Sequence, residues 1–413
     1  MKSLLCVGLA ALALVPPARA EDWNQWRGPR RDGHVRDFKA PAVWPKTLVK
    51  KWSISAGEGH SSPLLVGNRA YVLVRRGEQE HTLCLDAATG KTVWENKVSA
   101  PFDSVIFPAQ RLGKSPRSTP LLHQGKLYTI GVNGLLTAFD AAQGTVLWRK
   151  DFSKNFKIPM PVCGASLSPL VVGKKLYIHV GHEAVGEFLA LDKDTGATLW
   201  SWKGEGPAYT SPQLATIGGV SQLVTASHNM WIGLSAESGK LLWSASNRQN
   251  MFNHNSITPI LVGDTLYGGA NQRPTFAMKI VKKGEAFVTE PIWETRDVTM
   301  STSSPILDGG RLYVVNEKRR GQVMCLDRAS GKTLWACDGS KGENVSLYDV
   351  GAFVLAFDAG GDLTVFEKVA AGLKETAKYE VADSAVWASP AISGQRLLVK
   401  GAETLTLWEV PSK

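Results

Sequence analysis

Leu85-Asp86-Ala87-Ala88-Thr89-Gly90-Lys91-Thr92-Val93-Trp94 is the stretch that decides the fold, because the chain repeats its pattern along most of its length. Later copies carry Asp140, Gly144 and Trp148; Asp192, Thr195-Gly196 and Trp200; Ser238-Gly239-Lys240 with Trp243; and Asp327, Ser330-Gly331-Lys332 and Trp335. One copy keeps Trp293 but replaces the turn with Lys282-Lys283-Gly284. Each position has a physical task. The Asp accepts nearby backbone N–H groups and starts a turn. The Gly takes the positive φ of a tight hairpin. The Trp ends a strand and is expected to wedge between neighbouring units, burying a large apolar face.

Upstream of each copy stands Ser/Thr-Pro, an apolar pair and, in most copies, a Tyr. Ser62-Pro63 leads to Tyr71, Thr119-Pro120 to Tyr128 and Ser168-Pro169 to Tyr177. Ser211-Pro212, Thr258-Pro259 and Ser304-Pro305 follow, so the prolines recur every 43 to 57 residues. Such a period accommodates four short strands per unit, which is the blade of a β-propeller. Two weaker copies complete the series. The seventh has Asn344-Val345-Ser346-Leu347 for its opening and Tyr379 for its Trp. The eighth opens at Ser389-Pro390 and ends one strand short, after Leu405-Thr406-Leu407-Trp408. Leu48-Val49-Lys50-Lys51-Trp52 supplies the missing outer strand from the other end of the chain. The expected fold is therefore all-β: an eight-bladed propeller of four-stranded antiparallel blades over residues 44–413, closed by an N-terminal strand that completes the last blade and leaves no open seam.

The first twenty residues read as a secretory leader. Lys2 precedes an apolar run from Leu4 to Val15, and Ala18-Arg19-Ala20 gives the small-x-small cleavage pattern. That run is too short to span a bilayer. The expectation is cleavage after Ala20, a periplasmic or extracellular monomer, and no membrane-spanning segment. Residues 21–43 form a lead-in containing Trp23-Asn24-Gln25-Trp26-Arg27-Gly28-Pro29. The formal net charge of +10 falls to +8 without Lys2 and Arg19. With no dense Lys/Arg block, that excess does not indicate nucleic-acid binding and fits anionic envelope partners better. Cys84 and Cys325 occupy the same apolar strand slot, and no C-x-x-C spacing exists, so no metal site is expected.

The D-x-x-T/S-G-K-x-x-W run resembles the repeat of the pyrroloquinoline quinone (PQQ) propeller family. The resemblance covers roughly residues 44 to 410. That family includes quinoprotein alcohol dehydrogenases and non-enzymatic relatives, among them the outer-membrane assembly lipoprotein that scaffolds β-barrel insertion. The lead-in is similar to that of a bacterial secreted, non-enzymatic branch. The dehydrogenase branch would imply bound PQQ with calcium, a carboxylate base and often a vicinal Cys pair. This chain has no adjacent cysteines.

In such propellers the residues before each innermost strand ring one mouth of the channel. Here the ligand-binding candidates are His60, Arg117, Ser166, Tyr209, His254, Asn255, Thr302 and Trp387, and none is a carboxylate. They suit an anionic or polyhydroxylated ligand. The structural tryptophans are Trp52, Trp94, Trp148, Trp200, Trp243, Trp293 and Trp335. The sequence reading is a binding or scaffolding propeller, with no catalytic residue and no cofactor assigned, that presents one face to an envelope protein or polymer. The alternatives are a PQQ-dependent dehydrogenase or a carbohydrate-binding module at the channel mouth. His179 and His182, three apart on a strand, point to opposite faces and are not expected to form a metal pair. Lys318-Arg319-Arg320 reads as a loop.

Overall fold

A computed structural model describes residues 20–102, 113–156, 161, 163–246 and 255–411. The expected leader lies outside the described residues except for Ala20. Among the described residues, 32 strands form eight four-stranded antiparallel sheets. Blades 1 to 7 are consecutive: 64–99, 121–151, 170–204, 213–246, 260–295, 306–336 and 345–380. Blade 8 combines 391–409 with the N-terminal strand Val49–Ser55, which pairs with Thr404–Glu409 in antiparallel register from Val49 opposite Glu409 to Ser55 opposite Thr404. The ring is thus eight-bladed and closed as the repeat count required. Blade 7 has all four strands despite its degenerate markers. No helix among the described residues is long and apolar enough to cross a membrane.

The repeat residues perform recognisable tasks. Asp86 Oδ1 accepts the amides of Ala88 and Thr89, and Asp192 Oδ1 those of Asp194 and Thr195. The turn glycine that follows has positive φ and serves as the seat of the preceding blade's Trp. Trp52 lies on Gly90, Trp94 on Gly144, Trp148 on Gly196, Trp200 on Gly239 and Trp293 on Gly331, so closely that a Cβ on any of these glycines would overlap the indole. Two aromatic donors converge beside that seat. Trp94 Nε1 and Tyr71 Oη both donate to the Ala141 carbonyl, at 3.0 and 3.2 Å, and Trp148 and Tyr128 share the Lys193 carbonyl.

Trp243 departs from the expected wedge. Blade 5 lacks the turn that would seat it, and Gly284 in the substitute turn has no neighbour within 4 Å. Trp243 instead packs over Gly233 of its own blade and donates to Gln222 Oε1 at 2.7 Å. Trp335 seats on Gly372 of the blade 7 hairpin. Tyr379, standing where blade 7 should have a Trp, donates to the Pro45 carbonyl and packs near Trp44.

The Ser/Thr-Pro openings form a second inter-blade ring, nearer the axis. The amides of Ser168, Thr258, Val345 and Ser389 donate to the hydroxyls of Ser211, Ser304, Ser303 and Ser62 on the adjoining blades, each at 2.9 Å. These hydroxyls replace ladder bonds that separate sheets cannot make, which keeps buried backbone groups paired.

Candidate functional site

The channel is blind. At its lower end, where each innermost strand turns outward, the lead-in crosses the axis and touches all eight blades. The backbones of Trp23 and Leu65 bond reciprocally in blade 1, and the Leu122 amide donates to the Asn24 carbonyl in blade 2. Arg31 donates to the carbonyls of Ser168 and Pro169 in blade 3, and Gln213 of blade 4 donates to the Arg31 carbonyl. Trp26 Nε1 donates to Thr258 Oγ1 of blade 5, and Arg27 to the carbonyls of Ser304 and Pro305 of blade 6. Val35 and Gly33 bond the Asp349 backbone in blade 7, while Asp37 accepts the Gly394 amide in blade 8. His34 and Lys368 both face the Asp349 carboxylate, and Lys368 also pairs with Asp308 of blade 6.

Above this floor lies a cavity of about 260 Å³ with Trp26 and Arg27 in its wall. His60, Arg117, Ser166, Tyr209, Thr302 and Trp387 line it, so six of the eight residues chosen from the sequence meet around one space. Asn255 does not line it. Asn255 is buried, its carbonyl accepts Tyr209 N–H and Thr210 Oγ1–H, and its side-chain amide has no partner. His254 lies outside the described residues. The sequence reading missed Trp26 and Arg27, which the lead-in delivers from below, and Asn271 and Cys163, which join the wall.

Three of the wall residues interlock at the mouth. Arg117 donates to the carbonyls of Cys163 and Gly113, and the Cys163 amide donates to Tyr209 Oη at 3.0 Å. His60 packs edge-on to Trp387. Burial lowers the Arg117 pKa, an effect that Cys163, Tyr209 and Glu80 oppose. Burial likewise raises that of Tyr209 well above the ordinary phenol value.

Carboxylates stand behind the wall, at positions the sequence reading did not select. Glu80, buried in blade 1, accepts the Val132 amide at 2.8 Å, and burial lifts its pKa to about 7 against the opposing pull of that bond, Arg75 and Arg117. Burial also raises Glu317, which bonds Ser301 and faces Glu343. On the floor, burial alone lowers Arg31 to about 9, and burial dominates in lowering Arg27 to about 10.

This donor set does not fit PQQ with calcium. Calcium takes six to eight oxygen ligands with carboxylates among them, whereas the described residues of the wall present hydroxyls, two amides and cations without one carboxylate. Among the described residues no three His, Cys, Asp or Glu side chains are grouped to hold a metal ion. His179 is buried against Phe188 and Trp202 with Nε2 on the Glu205 carbonyl, while His182 faces Glu183.

Eight four-stranded blades, seated Trp on Gly and closed on an N-terminal strand, define the PQQ-repeat class of β-propeller. The chain belongs to the family described as outer membrane protein assembly factor BamB, which matches residues 31–113 and 107–337. A protein of that name from Burkholderia pseudomallei is 24% identical over 358 residues, 84% of each chain. Among solved structures, BamB from Moraxella catarrhalis superposes with a TM-score of 0.65 at 14% identity, over 88% of this chain and 100% of that one. Quinohemoprotein alcohol dehydrogenase from Comamonas testosteroni gives 0.70 at 15% identity, over 96% and 81%. At such identities the structural likeness establishes the fold.

Proposed function

We propose that this chain is an exported scaffold of the cell envelope. Its upper face would hold a protein partner during assembly of outer-membrane proteins. Membership of the BamB family carries this reading. Two features of the molecule support it. The lead-in covers the lower end of the channel, so the upper loops surround the open mouth. Among the described residues, the bases of these loops are held by the serine ring and by Arg117, and a base so held loses little conformational entropy on binding. Blade 6 contributes a cationic element there. The 3₁₀ turn Glu317–Arg319 is pinned by Glu317 N–H on the Thr299 carbonyl, and it leaves Lys318, Arg319 and Arg320 exposed.

The reading is tested by deleting the gene in its parent bacterium and measuring folded β-barrel proteins in the outer membrane. A reduced barrel content, restored by the native chain and not by one with Lys318, Arg319 and Arg320 all changed to Glu, is the expected result. Normal barrel content in the deletion strain would sink the proposal. In the same cells, the mature protein should begin at Glu21 and fractionate with the envelope.

A further inference from the structure

The cavity floor holds an imbalance of charge and of hydrogen-bond donors. Arg27 is buried with its guanidinium on the carbonyls of Asp32, Ser304 and Pro305. Asp32 acts on it only at longer range, and the Asp32 carboxylate is already paired with Arg36 at 2.7 Å. A buried cation without an ion-pair partner is costly, and an anion beside it removes much of that cost. Among the described residues nothing else in the wall supplies one, because none that lines the cavity is acidic.

The inter-blade serines compound the imbalance. A hydroxyl has one proton and two lone pairs. Ser211, Ser303 and Ser304 each spend a lone pair on a neighbouring blade's amide, and all three line the cavity. None of the three hydroxyl protons has an acceptor among the described residues, so each remains to donate. Trp26, beside Arg27, spends its N–H on Thr258 and offers its ring as an apolar wall. The space is donor-rich, cationic and closed below, with room for a small molecule.

We propose that the channel floor is a binding site for a small oxyanion, a carboxylate or a phosphate, seated between Arg27 and the hydroxyls of Ser211, Ser303 and Ser304. The site does not depend on the scaffold reading. A rigid cup that takes such an anion would couple its concentration to the stability of the ring, since a ligand of the folded state alone stabilises it by mass action.

The test is calorimetric titration of the mature full chain with inorganic phosphate and, separately, succinate, with tryptophan fluorescence followed in parallel. One saturable site for either anion is expected: phosphate alone identifies a phosphate site, succinate alone a carboxylate site, and both a general oxyanion site. Absence of binding for both up to about 10 mM overturns the proposal. Arg27→Gln should weaken binding about tenfold or more, the worth of a charge-assisted hydrogen bond. Should that variant not fold, Ser303→Ala carries the test, with an expected loss of about fivefold. Unchanged affinity in a folded Ser303→Ala or Arg27→Gln protein overturns it. Trp26→Phe should abolish most of the fluorescence response, and a response that survives intact would place the anion elsewhere.

Discussion

Gly144 and Gly284 occupy the same turn in blades 2 and 5, both at positive φ, yet only Gly144 has a tryptophan lying on it. Alanine at Gly284 meets empty space and suffers only the backbone strain of the left-handed region, about 1 kcal/mol. Alanine at Gly144 adds the displacement of the Trp94 indole, a further 1–3 kcal/mol or so by overpacking. Urea unfolding of the two variants separates the terms, and equal losses would mean that the indole seat contributes nothing. Glu80 makes a second residue-scale prediction. Folded, it keeps its proton to about pH 7, whereas its ordinary value is 4.5. The folded state binds the extra proton between those limits, so this group's stabilising contribution falls as pH rises through the window and is gone above it. His179 acts in the opposite sense: its pKa is lowered to about 4 by burial, so its contribution grows from pH 4 to 6.5. Glu80→Gln keeps an acceptor for Val132 and removes only the first effect. The variant should match the native protein at pH 5 and exceed its stability at pH 8 by at most about 3 kcal/mol. A variant equal to or weaker than native at pH 8 would contradict the assignment.

At the scale of elements, the two ends of the chain differ in how much of their role could be read. The blades were legible because Asp, Gly and Trp stand at fixed offsets, and each does its work within one hairpin or against the next blade. Even the closing strand could be read, since Trp52 repeats the mark of an outer strand. Trp243 was misread for a local reason: its seat belongs to blade 5, where Lys282-Lys283-Gly284 had already shown a turn of another kind. The lead-in was illegible in principle. Its arginines bond backbone carbonyls of Ser168, Pro169, Ser304 and Pro305, groups that carry no side-chain signature and lie up to 278 residues away. Half of the site, the mouth, followed from knowing where innermost strands begin. The other half, the floor, had no sequence pattern to announce it. Glu80 was hidden too. In Gln79-Glu80-His81 it reads as the polar position of an alternating strand, and only the packing of blade 2 against it removes it from water.

For the whole molecule, the decisive contact joins the two ends of the propeller. Eight blades add nearest-neighbour interfaces as any repeat array does, but a ring has one interface more than an open arc, and here the last blade is built from both ends of the chain. Until Val49–Ser55 meets Thr404–Glu409, the strand Val49–Ser55 has no partner and Trp52 cannot be held over Gly90 within blade 8. Closure must therefore await the C-terminal residues, and the entropy of joining such distant segments falls on this seam and on the bonds of the lead-in to blade 8. Unfolding should begin at the same place. Ser53 and Thr406 face each other across the seam with their hydroxyl oxygens 2.8 Å apart. A double variant, Ser53→Cys with Thr406→Cys, made together with Cys163→Ser, should oxidise to a cross-strand disulfide. Because the closed loop spans more than 350 residues, the chain-entropy account puts the gain near its upper limit, about 5 kcal/mol. The expected result is a higher urea midpoint for the oxidised than for the reduced protein, with slower unfolding, since the seam can no longer open first. Prompt disulfide formation with an unchanged unfolding rate would show that the ring opens between other blades, and that the N-terminal strand closes the propeller without governing its lifetime.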